Sequence, residues 1–335
     1  MTYDESLQRF AQEAGVVGGG YSPDLKRIAI EQEAEALDML DVDYESMPGW
    51  FSPRLTNELG VFLPGDLVLV GARPGCGKTT LLTTQAAYLV QAGHRVIYAG
   101  MEMRPARLKV ELAAARLGYD KAAVVRGQWR NLPTGARYKL EEELRRFRRE
   151  WQDRLVFVDD ERVTLSRLQD WAEVAGRDGF DFIVIDHIHR MDWGNPHDLT
   201  ASMNEGAKVI KTMAKENGLR VLAAVQLKRA NQYDPLEEYM VPPLSAIKQC
   251  GAFEEEADVV LMLHRALRAK ATEGDLVLVR RGQLNVSEVA EFGTMSVHIS
   301  KSRLDGAAKD QEIRLYVGRG RLYDDANERD RRTFE

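Results

Sequence analysis

From residue 65 onward, apolar and polar positions follow two alternating rhythms. Short apolar runs at Leu67–Val70, Arg95–Ala99, Leu155–Val158, Phe182–Asp186, Arg220–Val225 and Val259–His264 predict strands. Between them, helical spacing predicts helices over 78–92, 104–118, 134–151, 164–177 and 200–217, with Gly93, Gly118 and Gly218 as stops. Four further runs, Leu276–Val279, Met295–Ser300, Glu312–Val317 and Arg321–Tyr323, predict a β-rich end. Strand–helix alternation followed by terminal strands implies an α/β fold: a mostly parallel, twisted sheet flanked by helices, with antiparallel strands added at its C-terminal edge.

Residues 1–46 read differently. A Gly18-Gly19-Gly20 break precedes an acidic stretch, Asp24 to Asp41, whose Leu25, Ile28, Ala29, Leu37 and Leu40 are spaced for one helical face. This stretch is too short for a core of its own and reads as an arm or docking helix. Pro48-Gly49 and Pro53 punctuate the entry to the main domain, expected over 47–325, with a tail at 326–335.

Composition narrows the setting. The chain's 335 residues have room for one large α/β domain or two small ones, and its apolar share is ordinary for a packed core. Cys76 and Cys250 are too few for a disulfide framework, which points to a reducing cytoplasm. The start is acidic and lacks the apolar stretch of a leader. No run approaches the ~20 apolar residues of a membrane span. A formal charge of −6 argues against a uniformly basic surface, but a local basic lining can still hold phosphates.

The chemistry begins at Gly65–Thr80. An apolar strand feeds a turn, Ala72-Arg73-Pro74-Gly75-Cys76-Gly77-Lys78-Thr79-Thr80, that opens a helix. This is the phosphate-binding P-loop in its strand–loop–helix setting, with Ala72 where the first glycine usually stands. Backbone N–H groups at a helix start attract anions, and Gly75 and Gly77 let the chain approach them closely. Lys78 is placed for the β/γ oxygens of a nucleoside triphosphate, and the Thr79 hydroxyl for a Mg²⁺ shell.

Hydrolysis needs further groups. Phe182–Asp186 ends in a carboxylate at the carboxyl end of a parallel strand, where Asp186 is expected to face Mg²⁺. Glu102 follows the strand after the P-loop helix and suits a general base for water. Glu111, inside a helix, is the weaker candidate. Gln226, leaving a strand, can bond the γ-phosphate or its attacking water without adding charge. His187 and His189 have i,i+2 spacing but no third ligand, so a plain strand end outweighs a metal site. Lys301 and Arg303 lie on one side of a late strand. Alone they read as surface cations, although an arginine reaching a neighbour's γ-phosphate speeds phosphoryl transfer. Charges over 140–154 alternate in sign at helical spacing, as on a solvated helix.

Together these segments resemble the ATPase domain of DnaB-type replicative helicases, a RecA-like hexameric motor, from about Gly49 to Tyr323. Pro64-Gly65-Asp66-Leu67 with the following P-loop, including its alanine, is similar to that family's. Gly100-Met101-Glu102-Met103 resembles its Ser-Leu-Glu-Met segment, Ile183–Asp186 its magnesium strand, and Val225–Arg229 its sensor segment. Ser245–Asp258 resembles the DNA-facing loop with its following helix, and Ile299–Arg303 the paired trans-acting cations.

The resemblance implies ATP or another nucleoside triphosphate with Mg²⁺, a hexameric ring, and single-stranded DNA held by Lys248, Gln249 and Gly251. Lys228 and Arg229 would add positive potential, and Met191–Thr200 is a second channel candidate. A helicase loader or primase is the implied further partner, although the family's separate primase-binding domain has no counterpart in the 1–46 arm. Such a short motor suggests a phage or mobile-element origin. Residues 266–292 are longer than the family's usual connection, and His187-Ile188-His189 replaces a Tyr-Leu-Gln-like segment. A strand-exchange protein or a regulatory ring ATPase of the same fold are the rival readings.

Overall fold

Apolar runs bounded by glycine turns become the centre of a sheet in the computed structural model. The structure describes residues 46–160, 162–194, 197–228, 236–247, 251–268, 270–303, 311–318 and 320–324, with Arg27, Gln32, Glu33, Asp43, Tyr44 and Asp234. Most of the predicted 24–41 helix and of the 1–46 arm, and the whole 326–335 tail, lie outside the described residues, while Arg27, Gln32 and Glu33 are helical. Pro48–Glu335 forms one compact unit.

The strands are β1 (Leu67–Ala72), β2 (Val96–Gly100), β3 (Leu155–Val158), β4 (Phe182–Asp186), β5 (Arg220–Gln226), β6 (Val259–Leu267), β7 (Ala290–Ser302), β8 (Gln311–Gly318) and β9 (Arg321–Tyr323). They form one sheet ordered β3-β2-β4-β5-β1-β6-β7-β8-β9. Pairing is parallel from β3 through β6, then antiparallel through β7, β8 and β9. The expected fold class is the one observed.

The helices are α1 (Pro53–Leu59), α2 (Lys78–Gln91), α3 (Pro105–Arg116), α4 (Lys121–Val125), α5 (Ala136–Trp151), α6 (Leu165–Arg177), α7 (Leu199–Glu216), α8 (Gly251–Glu256), α9 (Glu273–Arg280) and α10 (Val286–Val289). Their starts follow from local chemistry. Ser52, Thr164 and Asp198 cap α1, α6 and α7 by accepting Leu55, Arg167 and Ala201 N–H groups. Alternation along β1 then sorts its side chains into two layers. Val68 and Val70 meet Leu81, Leu82 and Leu112 on the α2–α5 side, while Leu67 and Leu69 meet Leu168, Ile210 and Phe253 on the α6–α8 side.

One predicted strand is a helix. Leu276–Val279 lies in α9, because Thr272 and Asp275 form a reciprocal capping box: Thr272 Oγ1 accepts Asp275 N–H at 3.2 Å, and Asp275 Oδ2 accepts Thr272 N–H at 2.9 Å. That start outweighs the β-propensity of a Leu-Val-Leu-Val run. Only Val279 of this run is buried, against Leu236 and Val289, while Val277 and Leu278 stay exposed. The long 266–292 connection is thus the end of β6, a helical insertion of α9 and α10, and the start of β7.

Candidate active site

β1 ends at the P-loop, and its parallel neighbours deliver their own carboxyl ends to the same edge. Gly75 and Gly77 take φ of 79° and 90°, the left-handed region that favours glycine. A Cβ on Gly77 would also stand 3.1 Å from Met295 Sδ, a tight contact that the methionine would have to yield to. The result is a cavity of about 350 Å³ lined by Pro74, Gly75, Gly77, Lys78, Thr79, Thr80, Glu102, Asp186, His187 and Gln226. Predicted groups from β1, β2, β4 and β5 meet there.

Within the cavity, Lys78 Nζ donates to Ala72 O at 2.9 Å. Burial holds its pKa below the usual lysine range, opposed by the charges of Asp186, Cys76 and Glu102. Asp186 is 4% exposed; burial pushes its carboxyl up, opposed by hydroxyl bonds from Thr79 and Tyr98. The Tyr98 bond, 2.9 Å to Oδ2, comes from the neighbouring strand and fixes the carboxylate's direction. A desolvated carboxylate beside the Thr79 hydroxyl at a phosphate-binding loop fits a divalent cation. Among the described residues no cluster of three or more His, Cys, Asp or Glu forms a metal cage.

Glu102 and His187 face each other across the pocket, Oε1 to Nε2, at 3.1 Å. Burial lowers the His187 pKa, and the Glu102 charge opposes that shift. The His189 ring lies 5.7 Å from that of His187, and its Nδ1 accepts the Gln226 N–H at 3.2 Å. His187 thus lines the pocket as a hydrogen-bonding group and His189 holds the Gln226 backbone, roles their i,i+2 spacing does not reveal. Tyr98 is likewise invisible as a site residue in a sequence, where it reads as one more apolar strand position.

Other expected residues fall elsewhere. Arg73 turns out of the cavity and clamps Glu237, binding its carbonyl and carboxylate. Glu111 pairs with Arg107 and Lys121 and does not line this cavity. Lys228 N–H donates to Ala246 O at 2.9 Å and its Nζ to Ser245 O at 3.3 Å, while Leu227 bridges Ile247. The residue after Gln226 is thus bridged directly to Ile247, which precedes residues 248–250 in the chain. Gly251 is exposed at the start of α8. Lys248, Gln249 and Arg229 lie outside the described residues. Trp193, in the Met191–Thr200 segment, packs on Phe253, and its Nε1 donates to Ile188 O.

Lys301 and Arg303 are at the opposite end of the sheet. Lys301 Nζ donates to Glu254 O and Glu255 O at 2.6 and 3.0 Å. Arg303 bonds Glu255 O at 2.6 Å and pairs with Asp258 at 3.3 Å. Asp258 N–H in turn donates to Leu67 O at the start of β1, whereas the P-loop follows Ala72 at its end. About 17 Å of strand, at ~3.3 Å per residue, separates the two ends. Neither cation reaches a phosphate on its own P-loop.

The family model described as "DnaB-like helicase C terminal domain" matches residues 52–315. The chain belongs to that family. Its DnaB-like module is 26% identical over 287 residues to the replicative DNA helicase DnaB of Leifsonia xyli subsp. xyli, covering 80% of this chain and 59% of that protein. It is 28% identical over 228 residues to DnaB of Helicobacter pylori strain J99, covering 63% and 42%. The chain thus spans about half the length of these DnaB relatives. A shorter match, 45% over 96 residues, joins 27% of the chain to 20% of the DNA repair protein RadA of Brucella abortus. Among solved structures, a DnaB-like replicative helicase solved for its interactions with primase superposes with a TM-score of 0.68 at 17% identity, over 95% of this chain and 74% of that one. A separately solved ATPase domain gives 0.68 at 18%, over 91% and 99%. A KaiC-like protein from Pyrococcus horikoshii gives 0.53 at 15%, over 83% and 98%. These superpositions establish the shared DnaB-like and KaiC-like fold. Among the described residues no helix is long and apolar enough to cross a membrane.

Proposed function

We propose that this DnaB-like module is the motor of a ring-forming helicase, most simply a hexamer, that moves on single-stranded DNA by hydrolysing ATP. The observation that carries this reading is the separation of cradle from cations: Lys78, Thr79, Glu102, Asp186 and Gln226 share one cavity, while Lys301 and Arg303 lie a sheet's length away. A protomer built this way is complete only beside a neighbour that presents its far end.

In this reading the P-loop amides and Lys78 bind the β/γ-phosphates. Thr79 and Asp186 would hold Mg²⁺, whose charge would offset that of the phosphates. Glu102 accepts a proton from the attacking water, and Gln226 bonds the γ-phosphate. Arg303 and Lys301 of the next protomer face the charge that spreads over the transferring group. Loss of that phosphate shifts Gln226, and the Leu227–Ile247 bridge passes the shift to the loop bearing Lys248, Gln249 and Gly251. Lys228 and Arg229 add positive potential beside it. Contacts of this kind hold a DNA backbone without sequence choice.

Unwinding of a forked duplex, with ATP turnover stimulated by single-stranded DNA, tests the proposal. Stimulated turnover without unwinding would favour the strand-exchange reading. Turnover indifferent to DNA would favour a regulatory ring.

A further inference from the structure

The corner formed by α4, the Trp129–Asn131 turn and the start of α5 has no part in the site above. In a chain of net charge −6, residues 121–139 hold five cations, Lys121, Arg126, Arg130, Arg137 and Lys139, and no acid. Two aromatic rings stand out from the same corner: Trp129 is 37% exposed and Tyr138 65%. The Arg137 guanidinium lies 6.0 Å from the Trp129 ring centroid, and Tyr138 is the next residue on α5.

The nearest acids are already engaged. Asp120 caps α4 through Ala122 N–H, Glu111 pairs with Lys121 and Arg107, and Glu141 pairs with Arg137 and Arg145. Arg126, Arg130 and Lys139 have no acid partner among the described residues. At α5's first turn, Gly135 takes φ of 75° and supplies no side-chain cap, so no side chain there offsets the positive character of that helix start.

We propose that this corner binds a single strand of DNA, its bases stacking on Trp129 and Tyr138 and its phosphates meeting Arg126, Arg130 and Lys139. Exposed rings are costly against plain water but suit the faces of unpaired bases, and interleaved cations suit the backbone between them. A protein partner would have to be strongly acidic to match this surface. Base pairs in a duplex hide the faces that the rings would use. Val124, Ala136 and Leu140 beneath the corner belong to the apolar layer on the α2 side, whereas Ala246, Ile247 and Phe253 belong to the opposite layer. The corner therefore packs on the other side of the sheet from Ala246, Ile247 and Phe253, which flank residues 248–250. Resting on the motor reading, the strand it holds is the one that the loop does not.

The test places p-benzoylphenylalanine at Tyr138 in the full chain and presents forks with ATP, each single-stranded tail labelled in turn. Crosslinking to the tail that the 245–251 loop does not hold is expected. Arg126→Glu/Arg130→Glu/Lys139→Glu should weaken binding of a two-tailed fork at least fivefold and flatten its log–log salt slope by about 2. Hydrolysis stimulated by a short oligonucleotide should be unchanged, because the triple variant spares the loop. Trp129→Phe should retain most of the fork affinity and Trp129→Ala lose it, as stacking requires. Crosslinking to neither tail, or a triple variant with unaltered fork affinity and salt slope, overturns the proposal. Crosslinking of a bare oligonucleotide by a chain that unwinds nothing would keep the corner as a DNA site while removing the motor reading.

Discussion

Nε2 of His187 stands 3.1 Å from Oε1 of Glu102, and it approaches from β4 while Glu102 follows β2. The contact joins the proposed base to the strand that carries Asp186. Glu102→Gln is expected to keep nucleotide affinity within about twofold and lower turnover by ~10²-fold or more, the range for losing a general base. His187→Ala should lower kcat by about 10- to 100-fold with KM little changed, through misplacement of the carboxylate. Fluorescent-nucleotide binding alongside steady-state hydrolysis separates the two constants. Unchanged turnover in Glu102→Gln would remove it as the base.

Asp66, next to β1, gives a pH-dependent prediction. Burial raises its carboxyl to about 6, helped by the charge of Asp258 and opposed by its bond from Leu63 N–H. The folded state holds this proton more tightly than the unfolded chain, whose Asp titrates near 3.8. Its contribution to stability is therefore fully present below about 3.8 and is lost as pH rises through about 6. Asp66→Asn keeps the acceptor for Leu63 and should stabilise the fold at pH 8 by up to about 3 kcal/mol, with little effect at pH 4. Urea unfolding at both values checks this; an equal shift at both contradicts it.

Asp258 is shared by two cations of different standing. Buried Lys211 approaches Oδ2 at 2.5 Å and also bonds Gly65 O, while half-exposed Arg303 lies 3.3 Å from Oδ1. Lys211→Ala removes a buried cation together with its bonds to Asp258 and Gly65 O and should cost about 3 kcal/mol or more. Arg303→Ala removes an exposed pair and should cost about 1 kcal/mol or less. Denaturant midpoints distinguish them. A large loss in Arg303→Ala would mean that this arginine serves the fold.

The capping box at Thr272 and Asp275 predicts that Thr272→Ala frays α9, costing about 1 kcal/mol locally. Faster amide exchange confined to 273–280 is the expected readout. Unaltered exchange there would show that packing of Val279 alone holds the helix.

Much of this was legible in the sequence because the central strands are buried on both faces and so form unbroken apolar runs between glycine stops. Leu155–Val158, Phe182–Asp186 and Arg321–Tyr323 match their strands to the residue. The P-loop, Glu102, Asp186 and Gln226 were legible because each follows a strand whose end the parallel topology brings to one edge. Leu276–Val279 misled because its alternation of branched residues is two-faced, and the deciding signal was Thr272-x-x-Asp275 upstream. The buttressing of Asp186 by Tyr98 and of Glu102 by His187 was not legible, since it depends on strand order β2-β4 and on register, which no local pattern encodes.

Mixing two inactive variants tests the jointly built site most directly. Lys78→Ala lacks a working cradle and Arg303→Ala lacks the cation it would lend. Each alone should hydrolyse ATP at under about a hundredth of the parent rate in the presence of single-stranded DNA, in keeping with the ~10³-fold or larger effect of a trans arginine. Co-assembled, they create interfaces where an intact cradle meets an intact Arg303, and hydrolysis should return with a maximum near equal proportions. Absence of recovery at every ratio, with mixed assembly verified by native mass measurement, would contradict the account.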